Sequence, residues 1–284
     1  MDKQSVFVVK ELINQAAGTL VDPDTACLDA ELLLTHVTGN DRCWIHAHSD
    51  SLLSTENARE FELLIRKRRS GLPIAYLTGQ REFWSLSLQV TKETLIPRPE
   101  TEHLVEQALA LIPDNTSLEI ADLGTGAGAV ALAIASERPV CRIVASDISS
   151  AAVQVAMYNA RSLQLANLMF VNSDWLKAFK SKFDVIVSNP PYVREKDPHL
   201  EKGDVRHEPR LALAAGDDGL ACLRDIIRQA TCHLRTNGWL LLEHGHDQGA
   251  AVRALLAESG YASINTYNDL AGQERISNGQ WCYD

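Results

Sequence analysis

The spacing of apolar residues changes character twice along the chain. Through residue 79 it is helical: Val6, Val9, Ile13 and Ala16 line one face, and Phe61, Leu64 and Ile65 line another. Asp24 or Thr25 supplies a cap for a helix through "ACLDAELLLTHVT". Ser54 and Thr55 open another helix, which closes on Arg66, Lys67, Arg68 and Arg69 before Gly71. That basic run suits the negative end of a helix dipole and reads as a solvated helix end, with a docking patch as the alternative. Residues 81–91 then alternate, with Phe83, Ser85, Ser87 and Gln89 on one side and Trp84, Leu86, Leu88 and Val90 on the other. Period two predicts a strand, turned by Lys92 to Thr94 towards a partner at Leu95 and Ile96. Residues 80–97 are therefore expected to form a β-hairpin connector. A helix follows through "IPRPETEHLVEQALALIP", with a proline in its first turn.

From about residue 116 short apolar strands alternate with helices. The expected strands are 118–122, 141–146, 167–171, 183–188, 238–243, 262–267 and 275–282. Alternation of this kind specifies an α/β domain with a largely parallel sheet covered on both faces. The expected organisation is thus a helical domain over 1–79, the hairpin over 80–97 and an α/β domain over 98–284, without internal repeats. No apolar run approaches the roughly 18 residues of a spanning helix, and the first residues lack the layout of a secretory signal. The six cysteines are scattered with no Cys-x-x-Cys pair, which argues against a zinc ribbon and fits reduced thiols. A cytoplasmic chain without a membrane partner is expected. The net charge of −10 weighs against a protein that grips nucleic acid through its phosphates.

Candidate chemistry gathers where the strands end. "LEIADLGTGAGAVALAIA" is a strand, a glycine-rich turn and a helix start, and Gly124, Gly126 and Gly128 permit close backbone approach to a ligand. The Gly-x-Gly-x-Gly spacing differs from the dinucleotide fingerprint, which weakens a nicotinamide oxidoreductase reading. The second strand ends in Asp147, 19 residues after Gly128, where a carboxylate can accept both hydroxyls of an adenosine ribose or cap the next helix. The third ends in Asp174 and Trp175, suited to an adenine amino group and its ring, although Trp175 could be a core aromatic. The fourth ends in "SNPPYV", and prolines there stop any ladder. Asn189, Pro190, Pro191 and Tyr192 offer no acid-base pair. They can instead accept from an NH2 group through the Asn189 oxygen and the Pro190 carbonyl, with the Tyr192 ring against the plane that bears the nitrogen. The group acted on is then a planar NH2, either an exocyclic base amine or a carboxamide.

This ordered set over residues 97–284 resembles the class I methyltransferases that use S-adenosylmethionine. With "FWSLSLQV", "LIPRPETEHLV", "DPHLEKGDVRHEPRLALAAGDDGL" and "LLLEHGHDQG", nearly the whole chain resembles the HemK/PrmC family of protein glutamine methyltransferases. The resemblance implies a Rossmann-like domain with a seven-stranded, mostly parallel sheet and a small all-α N-terminal domain joined by a β-hairpin. It implies methylation of the glutamine in the Gly-Gly-Gln tripeptide of class I peptide chain release factors, with S-adenosylhomocysteine as product. It implies Gly124, Thr125, Gly126, Ala127, Gly128, Asp147, Asp174, Trp175 and Asn189 at the cofactor. Asn189, Pro190, Pro191 and Tyr192 are implied at the substrate, with the helical domain contacting the release factor and the chain acting as a monomer.

Other readings stay open at this stage. An adenine-amino methyltransferase of DNA or RNA would use the same Asn-Pro-Pro-Tyr logic, and a binding module would rely on the N-terminal helices alone. His244 and His246 read as turn residues, and no metal is expected, since methyl transfer needs none. Residues 194–208, ahead of Pro209, could fold as a flap or remain a surface loop, and Arg98 and Glu100 could frame a pocket or cap a helix.

Overall fold

A computed structural model describes residues 7–283, so Val6 of the expected first helix lies outside the described residues. The chain divides into two compact units, one ending at Gly79 and the other beginning at Gln80. In the first, helices α1 (Val9–Ala17), α2 (Ala26–Thr38), α3 (Arg42–Ala47), α4 (Thr55–Arg69) and α5 (Ile74–Thr78) surround Ile13, Leu33, Leu34, Ile45 and Phe61. Ser54 caps α4 by accepting from the Asn57 amide at 3.1 Å, as its position predicts. The basic end of α4 is not uniformly solvated, because Arg68 donates to the buried Asp29 at 2.8 Å.

The second unit opens on a hairpin of β1 (Gln80–Phe83) and β2 (Leu86–Gln89). Its turn lies at Trp84 and Ser85, both left-handed at φ 53° and 57°, and not at Lys92 to Thr94. The single strand expected over 81–91 is therefore two. A left-handed pair is the twist a two-residue hairpin demands, but Trp-Ser carries none of the Asn-Gly chemistry that announces it. Glu102 accepts from the Trp84 amide and Glu137 from its indole, at 2.8 and 2.9 Å, which holds the turn without glycine.

Next come α6 (Glu102–Leu111), β3 (Glu119–Leu123), α7 (Ala129–Glu137), β4 (Arg142–Asp147), α8 (Ser150–Ser162), β5 (Leu168–Asn172) and β6 (Phe183–Ser188). The unit ends with α9 (Ala221–Ala230), β7 (Leu234–Glu243), α10 (Gly249–Glu258), β8 (Ala262–Asn268) and β9 (Glu274–Trp281). The seven strands from β3 onwards form one sheet in the order β5-β4-β3-β6-β7-β9-β8, parallel except for β9, which runs against both neighbours. Each expected strand has its counterpart here. Alternate residues feed the two faces: Ile120 and Val187 pack with α6 and α7, while Ala121, Leu123 and Ile186 pack with α9. Phe83 and Leu88 of the hairpin are buried in the first of these cores. No helix among the described residues is long and apolar enough to cross a membrane.

Candidate active site

Strand order reverses between β3 and β6, and the carboxyl ends there form a crevice of the kind open α/β sheets use for ligands. The glycine turn after β3 is shaped by its neighbour: the amides of Gly124 and Thr125 donate to Ser146 O at 2.8 and 2.9 Å. Gly126 is left-handed with nothing within 4 Å of where a β-carbon would stand, so its turn faces open space. A cleft is walled by Gly124 to Ala127 together with Asn189, Thr101 and Arg98. The turn after β3 and the amide after β6 thus share one cavity.

Asp147 reaches this cleft through the turn, its two oxygens accepting from the amides of Gly126 at 2.9 Å and Ser149 at 2.8 Å. Ser149 itself caps α8. The Asp147 carboxylate therefore steadies the helix start, one of the two roles considered for it, and also grips the glycine loop. Trp175, left-handed at φ 51°, lays its indole on Gly124: a β-carbon there would sit 3.2 Å from Cζ3. Asp174 is paired with Lys177. Gly128 begins α7 with no room for a side chain, because a β-carbon would stand 2.9 Å from Leu132.

Asn189 donates through Nδ2 to Thr101 Oγ1 at 3.0 Å, and no described residue donates to its Oδ1. Pro190 is buried behind it, Pro191 half-buried. The Tyr192 hydroxyl donates to Glu243 Oε1 at 3.2 Å, and burial holds the phenol protonated far above neutral pH. The Tyr192 carbonyl accepts from Gln248 Nε2 at 3.0 Å and lies against Gly219, where a β-carbon would approach to 2.4 Å. The chain after the prolines is therefore clamped and does not hang free.

Three further acids matter here. Asp122, buried on the cleft wall, accepts from Thr125 Oγ1 at 2.6 Å and the Ala131 amide at 3.2 Å. Burial pushes its carboxyl up to about 7, those bonds pull against it, and the nearby Asp147 adds to the rise. Glu243, 1% exposed at the end of β7, is likewise pushed to about 7 by burial, opposed first by the Thr101 hydroxyl and then by Arg275 and Tyr192. Glu208 is buried, accepts from the Ile96 amide at 3.0 Å and pairs with Arg98. It ties the stretch after Tyr192 to the segment before α6, so Arg98 is both framed and framing. His244 is also buried, with Nδ1 2.9 Å from Gly245 O and Nε2 2.9 Å from Ser277 Oγ, which occupies both ring nitrogens.

Sequence comparison decides the family. Residues 102–204 match the Methyltransferase small domain family and residues 11–79 the PrmC N-terminal domain family. The release factor glutamine methyltransferase of Salmonella typhimurium is 48% identical over 95% of this chain and 97% of its own. That of Pseudomonas aeruginosa is 49% identical over 92% and 95%. The chain belongs to the release factor glutamine methyltransferase family. Among solved structures, a methyltransferase from Pyrococcus furiosus covers 78% of this methyltransferase and 98% of its own chain, with a TM-score of 0.54 at 18% identity, and shares its fold.

No signal in the sequence could have paired Thr101 with Asn189 across 88 positions, or Tyr192 with Glu243 across 51. Asp122 lies within the strand that leads into the glycine turn. Its position two residues before the glycine turn was the available clue.

Proposed function

We propose that this enzyme methylates the side-chain amide nitrogen of the glutamine in the Gly-Gly-Gln loop of class I peptide chain release factors, using S-adenosylmethionine. The helical unit contacts the release factor, and the unit from Gln80 onwards carries the chemistry. The observation that carries the reading is the Asn189 amide: one Nδ2 hydrogen goes to Thr101 and no described residue donates to its oxygen, which is left as an acceptor for a ligand in the cleft.

The residues present fit such a cofactor. Two desolvated carboxylates, Asp122 and Asp147, flank a turn open at Gly126, and a cationic ligand relieves their mutual repulsion. Asp147 would hold the ribose, and the indole of Trp175 on Gly124 supplies a face for the adenine, with Asp174 beside it. S-adenosylmethionine in this cleft supplies an electrophilic methyl on a sulfonium and leaves as S-adenosylhomocysteine.

A glutamine amide is a sluggish nucleophile because its lone pair is delocalised. The chain's part is orientation: Asn189 Oδ1 and the Pro190 carbonyl accept the two N–H groups and prevent rotation about the C–N bond. Pro191 keeps the ledge rigid, and the Tyr192 ring lies against the amide plane. Such positioning without a base can supply several kcal/mol.

The test uses methyl-labelled S-adenosylmethionine with either a release factor or nucleic acid. Label in the release factor glutamine is expected, and Asn189→Ala should lose about 100-fold or more in turnover while still binding S-adenosylhomocysteine. Label found only in nucleic acid overturns the reading in favour of an adenine-amino methyltransferase.

A further inference from the structure

We infer that Thr101 and Glu243 are positioning residues for this reaction, holding the Asn189 carboxamide with its oxygen free and the Tyr192 ring in its working place. The inference rests on the amide-methylation reading above and deepens it.

A carboxamide presents either oxygen or NH2 to its surroundings, because its terminal torsion is broad and roughly two-fold. An Asn189 turned over would offer donors to a substrate NH2, and donor against donor repels. Something must therefore set which end faces the cleft. Thr101 Oγ1 accepts from Nδ2 at 3.0 Å, which sets it only if the threonine's own proton points elsewhere. Glu243 is the acid that neighbours this hydroxyl, at the end of β7, and the hydroxyl favours its ionised form. Its Oε2 is buried and makes no hydrogen bond, while Oε1 accepts from the Tyr192 hydroxyl.

When ionised, Glu243 only accepts, so the Tyr192 hydroxyl points its proton at it and the ring is held by its far end. Thr101 offers a lone pair to Asn189 of the same ledge. Arg275 supplies compensating positive charge, and Glu100 opposes it. A carboxyl buried to this degree is expensive, and an apolar side chain would suit the fold better. Its presence two strands' width from the glycine turn makes sense as an anchor for the Tyr192 ring. Thr101 sits in the short helical turn of "RPETE" ahead of α6, so the same segment that carries Arg98 into the cleft wall also carries this acceptor.

The test compares full-length Thr101→Val, Thr101→Ser and Glu243→Gln enzymes. Three readings are taken: kcat and KM for a release factor, affinity for S-adenosylhomocysteine, and the Asn189 side-chain NH2 resonances of asparagine-labelled protein bound to S-adenosylhomocysteine. Thr101→Val, which keeps volume and loses the hydroxyl, should lower kcat by about 10-fold or more with little change in KM. Its affinity for S-adenosylhomocysteine should stay within about 2-fold of the wild type, and its Asn189 NH2 protons should exchange faster. Thr101→Ser should restore both kcat and slow exchange. Glu243→Gln should lower kcat similarly, and the double variant should be little worse than either single one, as expected for residues acting as one unit.

The inference is overturned if Thr101→Val keeps wild-type kcat and wild-type Asn189 exchange. Equal damage from Thr101→Val and Thr101→Ser overturns it too, since that marks packing and not the hydroxyl. Should Thr101→Val fail to fold, Glu243→Gln decides alone: wild-type kcat there sinks the inference, and loss of kcat with retained cofactor binding supports it. If the wild-type enzyme labels no release factor, the proposed substrate is wrong, and the Asn189 resonances still decide the positioning by the same comparison.

Discussion

Asp122 shows how much a single side chain can reveal about the ligand its cleft is built for. Its carboxyl, held near 7 by burial and by Asp147, is half-protonated at neutral pH in the ligand-free enzyme. A bound ligand that carries an ammonium group favours the ionised form and expels the proton. Affinity for S-adenosylhomocysteine should therefore rise as pH increases from 6 to 8, steepest below about 7, with up to about tenfold per pH unit. Calorimetry in two buffers of different ionisation heat should detect the released proton. Asp122→Asn, which retains the acceptor for Thr125 and Ala131, should bind more weakly at pH 8 and show a flat profile. A wild-type affinity that is level across this range would refute the charge argument.

At the scale of elements, the hairpin proves to be part of the α/β core. Asn159 on α8 accepts from the Gln89 amide at 2.8 Å and donates to Gln89 O at 3.0 Å and Ala127 O at 2.8 Å, fastening β2 to the glycine turn. Asn159→Ala strands buried backbone groups and should lower stability by about 2–3 kcal/mol in urea unfolding, with weaker cofactor binding. A fragment starting at Gln80 should fold and be stabilised by S-adenosylhomocysteine. One starting at Arg98 should not, because it loses Phe83, Leu88 and this clasp. Equal folding of the two fragments would contradict the packing described. The strands from β3 onwards were legible in the sequence because each is a short apolar run with a turn signal behind it. The ledge after β6 was legible because prolines and glycines announce special backbone. The hairpin turn was not, since Trp84 and Ser85 adopt their left-handed pair only under the hold of Glu102 and Glu137. Thr101, Glu243 and Asn159 were hidden for a related reason: their partners lie 32 to 88 positions away, and no local pattern encodes such a meeting.

For the molecule as a whole, Asp122 and Glu243 make stability respond to pH in an unusual direction. Both carboxyls sit near 7 when folded, above the ordinary 3.8 and 4.5. The folded state therefore holds protons that the unfolded chain has released. The resulting stabilisation is complete below about pH 4 and is lost as pH rises through 7, on the order of 3–4 kcal/mol for each group. The urea midpoint of the ligand-free enzyme should fall between pH 5.5 and 8, and Asp122→Asn or Glu243→Gln should each flatten the slope. A midpoint that climbs over this interval would show that other groups dominate. Parallel strands have a further practical consequence. Since β3, β4, β6 and β7 all deliver their last residues to one rim, their first residues mark a quiet far side. Strand β3 alone puts roughly 16 Å between the two. The exposed loop 113–117, which enters that strand, is a natural anchorage for a dye, a tether to a sensor chip or a fused reporter, far from any passenger the enzyme handles.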